Sequence, residues 1–132
     1  MTRRESDNAA RSTGRFVVLH HLEATGDHYD LMIENGDRLA TWKMIHPPER
    51  MDTKSPDTRR IQDHRPVYLD YEGPISGDRG QVTRHDSGGC VVHERGEARW
   101  VLTFDGRRLK GGCILECVDQ SEARWRLRRV EA

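Results

Sequence analysis

Apolar and polar residues alternate along this chain in short runs, and nowhere do they sustain the 3.6-residue period of an amphipathic helix. The run Arg15-Phe16-Val17-Val18-Leu19-His20 is short and β-prone. Next, His28-Tyr29-Asp30-Leu31-Met32-Ile33-Glu34 alternates with a period close to two. Asn35-Gly36-Asp37 behind it is a strong hairpin signal, and Arg38 to Met44 reads as the return strand. From His46 to Asp63 the pattern dissolves. Pro47, Pro48 and Pro56 argue for a long proline-rich loop, which in a compact domain is usually functional or mobile. Strand signals resume at Val67-Tyr68-Leu69-Asp70-Tyr71 and stop at Gly73-Pro74. Further strands are expected over 80–85, 89–93, 98–104, 109–118 and 124–130, divided by Gly or Asp turns. About eight short strands at close spacing imply an all-β barrel or sandwich, which closes its own edges.

Length and composition narrow this. A chain of 132 residues fits one domain. Residues 1–14 carry almost nothing apolar and read as a disordered tail, so the folded domain is expected over 15–132. The hydrophobic share is 34%, the charged share is 33% and the mean hydropathy is −0.88, which implies a thin core under a heavily charged surface. No apolar stretch reaches the roughly 20 residues that span a bilayer. The basic N-terminus lacks an apolar segment behind it, so no membrane association and a cytoplasmic location are expected.

Three cysteines, Cys90, Cys113 and Cys117, form an odd set and read as reduced thiols packed in strands. Cys113 and Cys117 have an acceptable metal spacing, but no second pair completes it. With 22 basic and 22 acidic residues the net charge is zero, which argues against broad non-specific binding to duplex DNA. The basic set is 19 Arg against three Lys. Arginine's planar fork suits phosphate oxygens, so a local phosphate pocket remains open.

The candidate chemistry sits in two places. His28 and Asp30 are two apart in a strand, so they project from one face roughly 7 Å apart along the chain. Met32 and Glu34 continue that face, and Tyr29, Leu31 and Ile33 form the core side. Upstream, one of His20 and His21 can meet them if the first two strands pair. Two imidazoles and one carboxylate form a facial set able to hold Mn²⁺ or Zn²⁺ with room for substrate and water. The plainer reading is that His-x-Asp forms an ordinary solvated strand face. The second place is Asp63-His64-Arg65-Pro66-Val67-Tyr68, where His64 and Tyr68 are expected to share a strand face. With Arg59, Arg60 and Arg65 nearby they could receive a phosphate. The plainer reading there is a histidine bonded to a loop carbonyl and a tyrosine at a barrel rim.

Taken in order, these segments resemble a known family. Phe16-Val17-Val18, a following His, His28-Tyr29-Asp30-Leu31, Leu39-Ala40-Thr41-Trp42, Asp63-His64 with Tyr68, Asp70-Tyr71-Glu72-Gly73, Leu109-Lys110-Gly111 and Trp125-Arg126-Leu127 look like the 3′-phosphoesterase domain of bacterial DNA ligase D. The resemblance runs from about Arg15 to Val130. It implies a small closed antiparallel β-barrel that trims a ribonucleotide and then a phosphate from a primer 3′ end, with Mn²⁺ favoured and Zn²⁺ as the alternative. Family spacing from Phe16 selects His21, with His28 and Asp30, as the metal set. It places His64 and Tyr68 on phosphate contacts and makes His64 the proton-handling residue. The chain departs from the family at Met32, where an arginine is usual, at His46, in place of a lysine, and at Gln62, in place of an acid. His46 and Arg60 (or Arg59) are the candidates to make up the lost phosphate contacts.

The implied function is metal-dependent 3′-end processing in DNA repair. The implied partners are nucleic-acid 3′ termini and a DNA ligase encoded as a separate chain, with the protein itself expected to be a monomer. Two alternatives belong to other classes. One is a catalytically degenerate module that binds nucleic-acid ends or phosphate. The other is a hydrolase of a small phosphorylated metabolite.

Overall fold

A computed structural model describes residues 11–51 and 58–130. The strands are β1 (Ser12–Glu23), β2 (Gly26–Asn35), β3 (Arg38–Met44), β4 (Thr58–His64), β5 (Gly73–Pro74), β6 (Gln81–Arg95), β7 (Arg99–Asp105), β8 (Lys110–Asp119) and β9 (Arg124–Arg129). All paired strands are antiparallel, in the order β1-β2-β3-β4-β9-β8-β7-β6, and β6 pairs back with β1. Eight strands therefore close a barrel, and the two-residue β5 is added at the edge of β6. The all-β barrel holds. Among the described residues no helix is long and apolar enough to cross a membrane.

Two apolar clusters flank the β1–β2–β3 wall. The barrel interior holds Phe16, Val18, Leu31, Ile33 and the tryptophans Trp42, Trp100 and Trp125. A second cluster covers the outer face: Val17, Leu19, Met32, Leu39, Leu69 and Val82. Phe16-Val17-Val18-Leu19 is therefore buried without a break, as a strand covered on both faces must be. Met32 joins this outer cluster at 2% exposure, so the face expected to be polar turns apolar beyond Asp30.

Several boundaries differ from expectation. β1 begins at Ser12 rather than Arg15, because Ser12, Thr13 and Gly14 pair with Val92, Val91 and Cys90 of β6; residues 1–10 of the expected tail lie outside the described residues. Residues 81–95 form one strand instead of two. Gly88 and Gly89 stay paired with Phe16 and Arg15 of β1, and Gly88 marks a close backbone approach, since a side chain there would lie 2.1 Å from the Asp105 carbonyl. Val67–Tyr71, expected as a strand, contains the 3-10 turn Pro66–Leu69, with proline's fixed φ at its start.

Within the span read as loop, β4 forms at Thr58–His64; Pro56 lies outside the described residues. β4 has one aliphatic residue, Ile61, which is why its pattern is silent. Its inward position opposite Trp42 is Arg60, whose guanidinium lies 4.5 Å from the Trp42 ring centroid. A cation on an aromatic face does the work of a core hydrophobe. Among the described residues the β4–β9 seam has only the pairs Thr58–Trp125 and Arg59–Arg124.

The cysteines are reduced, and Cys90 and Cys113 are buried. Burial pushes the Cys90 thiol up to about 12 and the Cys113 thiol to about 11, so neither offers a thiolate to a metal at neutral pH.

Candidate functional site

β1 and β2 pair with His21 directly opposite His28 and Leu19 opposite Asp30. Side chains at opposed and alternate positions share a face, so His21, His28 and Asp30 meet on the outer wall beside the Val17–Leu19–Met32 cluster. One potential ligand atom from each lies within 4.8 Å of the others. His28 Nε2 is 3.1 Å from Asp30 Oδ2, and His21 Nδ1 is 3.9 Å from the same oxygen. The two imidazole centroids are 4.8 Å apart. His20, the competing candidate, points to the other face, where it bonds Asp27 at 2.6 Å and stacks on Tyr29.

The orientation of His21 is set from outside the pair. The turn Ser76–Gly80 delivers the Arg79 carbonyl to His21 Nε2 at 2.6 Å. A carbonyl can only accept, so Nε2 carries the proton and the neutral ring keeps its lone pair on Nδ1, the nitrogen nearer Asp30. Glu23 stands behind both rings, 3.9 Å from His21 Nε2 and 3.8 Å from His28 Nδ1.

Asp30 is 4% exposed, and its Oδ1 is buried with no hydrogen-bond partner. An orphaned carboxylate oxygen in an apolar wall is costly unless something positive meets it. Two imidazoles, one carboxylate and that unmatched oxygen fit a divalent cation of the Mn²⁺ or Zn²⁺ type.

His21 and Asp30 line a cleft of about 400 Å³ together with Leu19, Met32 and Val82, with His28 set behind them. His64 and Tyr68 line it, brought together with rings 5.7 Å apart by a strand end and the 3-10 turn in place of the expected common strand face. His64 Nδ1 bonds the Gln62 carbonyl at 3.0 Å, which leaves Nε2 as its free edge. His64 thus bonds a carbonyl of its own strand end and lines the cleft.

The cations of the cleft are Arg38, Arg65 and Arg79. Of these only Arg65 was a candidate from sequence. Arg60 turns inward onto Trp42, and Arg59 bonds the Glu122 carbonyl at 2.8 Å, so neither replaces the arginine absent at Met32. His46 lies elsewhere, against Met44, Pro47 and Arg126 in a separate small depression. Arg38 and Arg79 carried no sequence signal beyond their turns. Arg38 follows the Gly36-Asp37 hairpin and reaches the Asp63 carbonyl, and Arg79 lies between the positive-φ residues Asp78 and Gly80.

The sequence matches the model of a family described as the DNA ligase D 3′-phosphoesterase domain over residues 19–116, a span that contains every residue of the triad and both His64 and Tyr68. No curated protein matches the chain.

Proposed function

The chain belongs to the DNA ligase D 3′-phosphoesterase domain family, and from that premise we propose that it hydrolyses phosphoesters at nucleic-acid 3′ ends with a divalent metal. The family points to a phosphoesterase role in DNA repair. The observation that carries the finer reading is the buried Asp30 carboxylate on an arginine-lined cleft, its Oδ2 facing two imidazoles and its Oδ1 without a partner.

His21, His28 and Asp30 would hold the metal, Mn²⁺ by preference. Bound there, it supplies Lewis-acid polarisation of a phosphoryl oxygen and lowers the pKa of a water. Arg38, Arg65 and Arg79 receive the remaining phosphate oxygens through charge-assisted hydrogen bonds. Tyr68 lines the same cleft with a hydroxyl able to donate to one of them. With Nδ1 committed to the Gln62 carbonyl, His64 in its protonated form carries a second proton at Nε2, the atom able to pass it to the departing oxygen. At a 3′-phosphate, water oxygen adds to phosphorus as the P–O3′ bond breaks; the departing O3′ takes the His64 Nε2 proton, the released phosphate keeps the protons of the water, and the nucleic acid leaves with a 3′-hydroxyl. At a 3′-ribonucleotide the bond broken is P–O5′ of the terminal nucleoside, which leaves a 3′-phosphate for the same step. A net charge of zero over the whole chain suits capture of an end rather than of a long duplex.

The test is incubation with Mn²⁺ and primer-templates that end in 3′-phosphate or a 3′-ribonucleotide. Loss of the 3′-phosphate from the first and of the terminal ribonucleoside from the second, each abolished by EDTA, is expected. No conversion at protein concentrations equal to substrate defeats the catalytic reading. Met32, buried where the family carries an arginine, favours a second reading as a non-catalytic end-binding module. That reading is upheld by tight end binding that chelation leaves unchanged.

A further inference from the structure

Next to the cleft lies a second groove of about 360 Å³ that shares Arg65, Tyr68 and Ile75 with it. Its character is different. Val67, Pro74 and Ile75 are aliphatic, and Val67 is 54% exposed. Tyr68 and Tyr71 meet edge to face with centroids 5.9 Å apart. The Tyr71 hydroxyl is already donated to the Pro74 carbonyl, so Tyr71 offers its ring rather than a polar group.

A volume of this size falls within the range of small-ligand sites. A 3′-phosphorylated end has two chemically distinct parts joined by one sugar: a dianion and a flat, largely apolar base. The two adjoining hollows have the same division. Arg65, which makes no ion pair among the described residues, stands at their junction. We propose that the Val67–Tyr71–Ile75 groove holds the nucleobase of the terminal nucleoside whose phosphate occupies the arginine-lined cleft, an inference that rests on the phosphoesterase reading. Arg65 and Tyr68 belong to the side shared with the cleft and the Ser76 hydroxyl accepts from Arg79, so the surface left to the base is the ring of Tyr71 with Val67, Pro74 and Ile75, and the base is held by stacking and contact. All four bases are then accepted about equally, since every base has a π-face.

The test uses metal-free protein in EDTA, so that nothing is turned over. It is titrated separately with a deoxynucleoside 3′-monophosphate, deoxyribose 3-phosphate and inorganic phosphate, while the Val67 and Ile75 methyl signals are followed by NMR. The nucleotide is expected to bind about tenfold more tightly than the sugar phosphate and to move both methyl groups. Val67→Ser and Tyr71→Leu should each remove most of that advantage and leave the affinity for inorganic phosphate unchanged. Equal affinity for nucleotide and sugar phosphate, with unmoved methyl signals, overturns the inference while phosphate binding keeps the cleft reading intact. If inorganic phosphate fails to bind both in EDTA and after the divalent metal is restored, the cleft reading falls, and the free deoxynucleoside then decides the groove. A shift of the Val67 and Ile75 methyls with the nucleoside alone sustains it, and no shift overturns it.

Discussion

The Arg79 carbonyl oxygen accepts a hydrogen bond from His21 Nε2 at 2.6 Å, and that contact turns Nδ1 of the same ring toward Asp30. A residue 58 positions away thus sets the tautomer of a candidate metal ligand. Such outer contacts orient imidazole ligands and raise their affinity for the ion.

Removing a member of the triad should remove metal binding. His21→Ala, His28→Ala and Asp30→Ala are each expected to weaken Mn²⁺ or Zn²⁺ binding by more than the roughly 10- to 100-fold typical of a lost outer partner. Isothermal titration and metal content after dialysis measure this. His20→Ala, on the opposite face, should leave affinity within about twofold of wild type. Retention of stoichiometric metal by the His21 or Asp30 variant would sink the assignment.

Gly80→Ala tests the orienting turn. Gly80 has φ +82°, and a Cβ there would lie 1.9 Å from the Leu22 carbonyl oxygen, so the turn must withdraw from β1. The backbone conformation alone costs an L-residue about 1–2 kcal/mol. Withdrawal of the Arg79 carbonyl should lower metal affinity by about 10- to 100-fold. Urea denaturation without metal reads the first effect, and titration of the folded protein reads the second.

Arg60→Ala separates fold from site. Arg60 covers Trp42, Trp100 and Trp125 at the thin β4–β9 seam. Its loss is expected to cost about 1–2 kcal/mol of stability through the lost cation–π and stem contacts. Metal affinity and 3′-end processing should stay within about twofold of wild type. A large loss of processing by a folded Arg60→Ala protein would return that residue to the site.

Acid stability should depend on Glu116. Hydrogen bonds from Arg128 and then Arg126 hold its carboxyl below the ordinary glutamate range, against a smaller opposing effect of burial. A carboxyl lowered on folding stabilises the native state above its unfolded value, 4.5 for glutamate here, and that contribution disappears as pH falls through the lower folded value. Glu116→Gln should therefore lower the urea midpoint at neutral pH and lose less than wild type does on acidification. Parallel midpoint curves for the two proteins would contradict this.

How much of this was legible in the sequence depends on the distance over which each contact acts. The Phe16–Leu19 run, the Gly36-Asp37 turn and the two-residue step from His28 to Asp30 are local. Strand periodicity alone decided that those side chains share a face, and the barrel class followed from the spacing of such runs. The family spacing from Phe16 reached His21. Tertiary structure decided the rest. Closure of β6 onto β1 brought the Arg79 carbonyl to His21, and Pro66 wound the segment of Tyr68 into a 3-10 turn rather than a strand. Pairing of β4 with β3 turned Arg60 onto tryptophans and away from phosphate. Arg38 opens β3, Arg65 precedes the 3-10 turn and Arg79 lies in the turn before β6, and no periodic signal links residues whose common property is the cleft they border. A strand dictates the directions of its own side chains, but what stands opposite them is set by how the sheet closes and what packs over it.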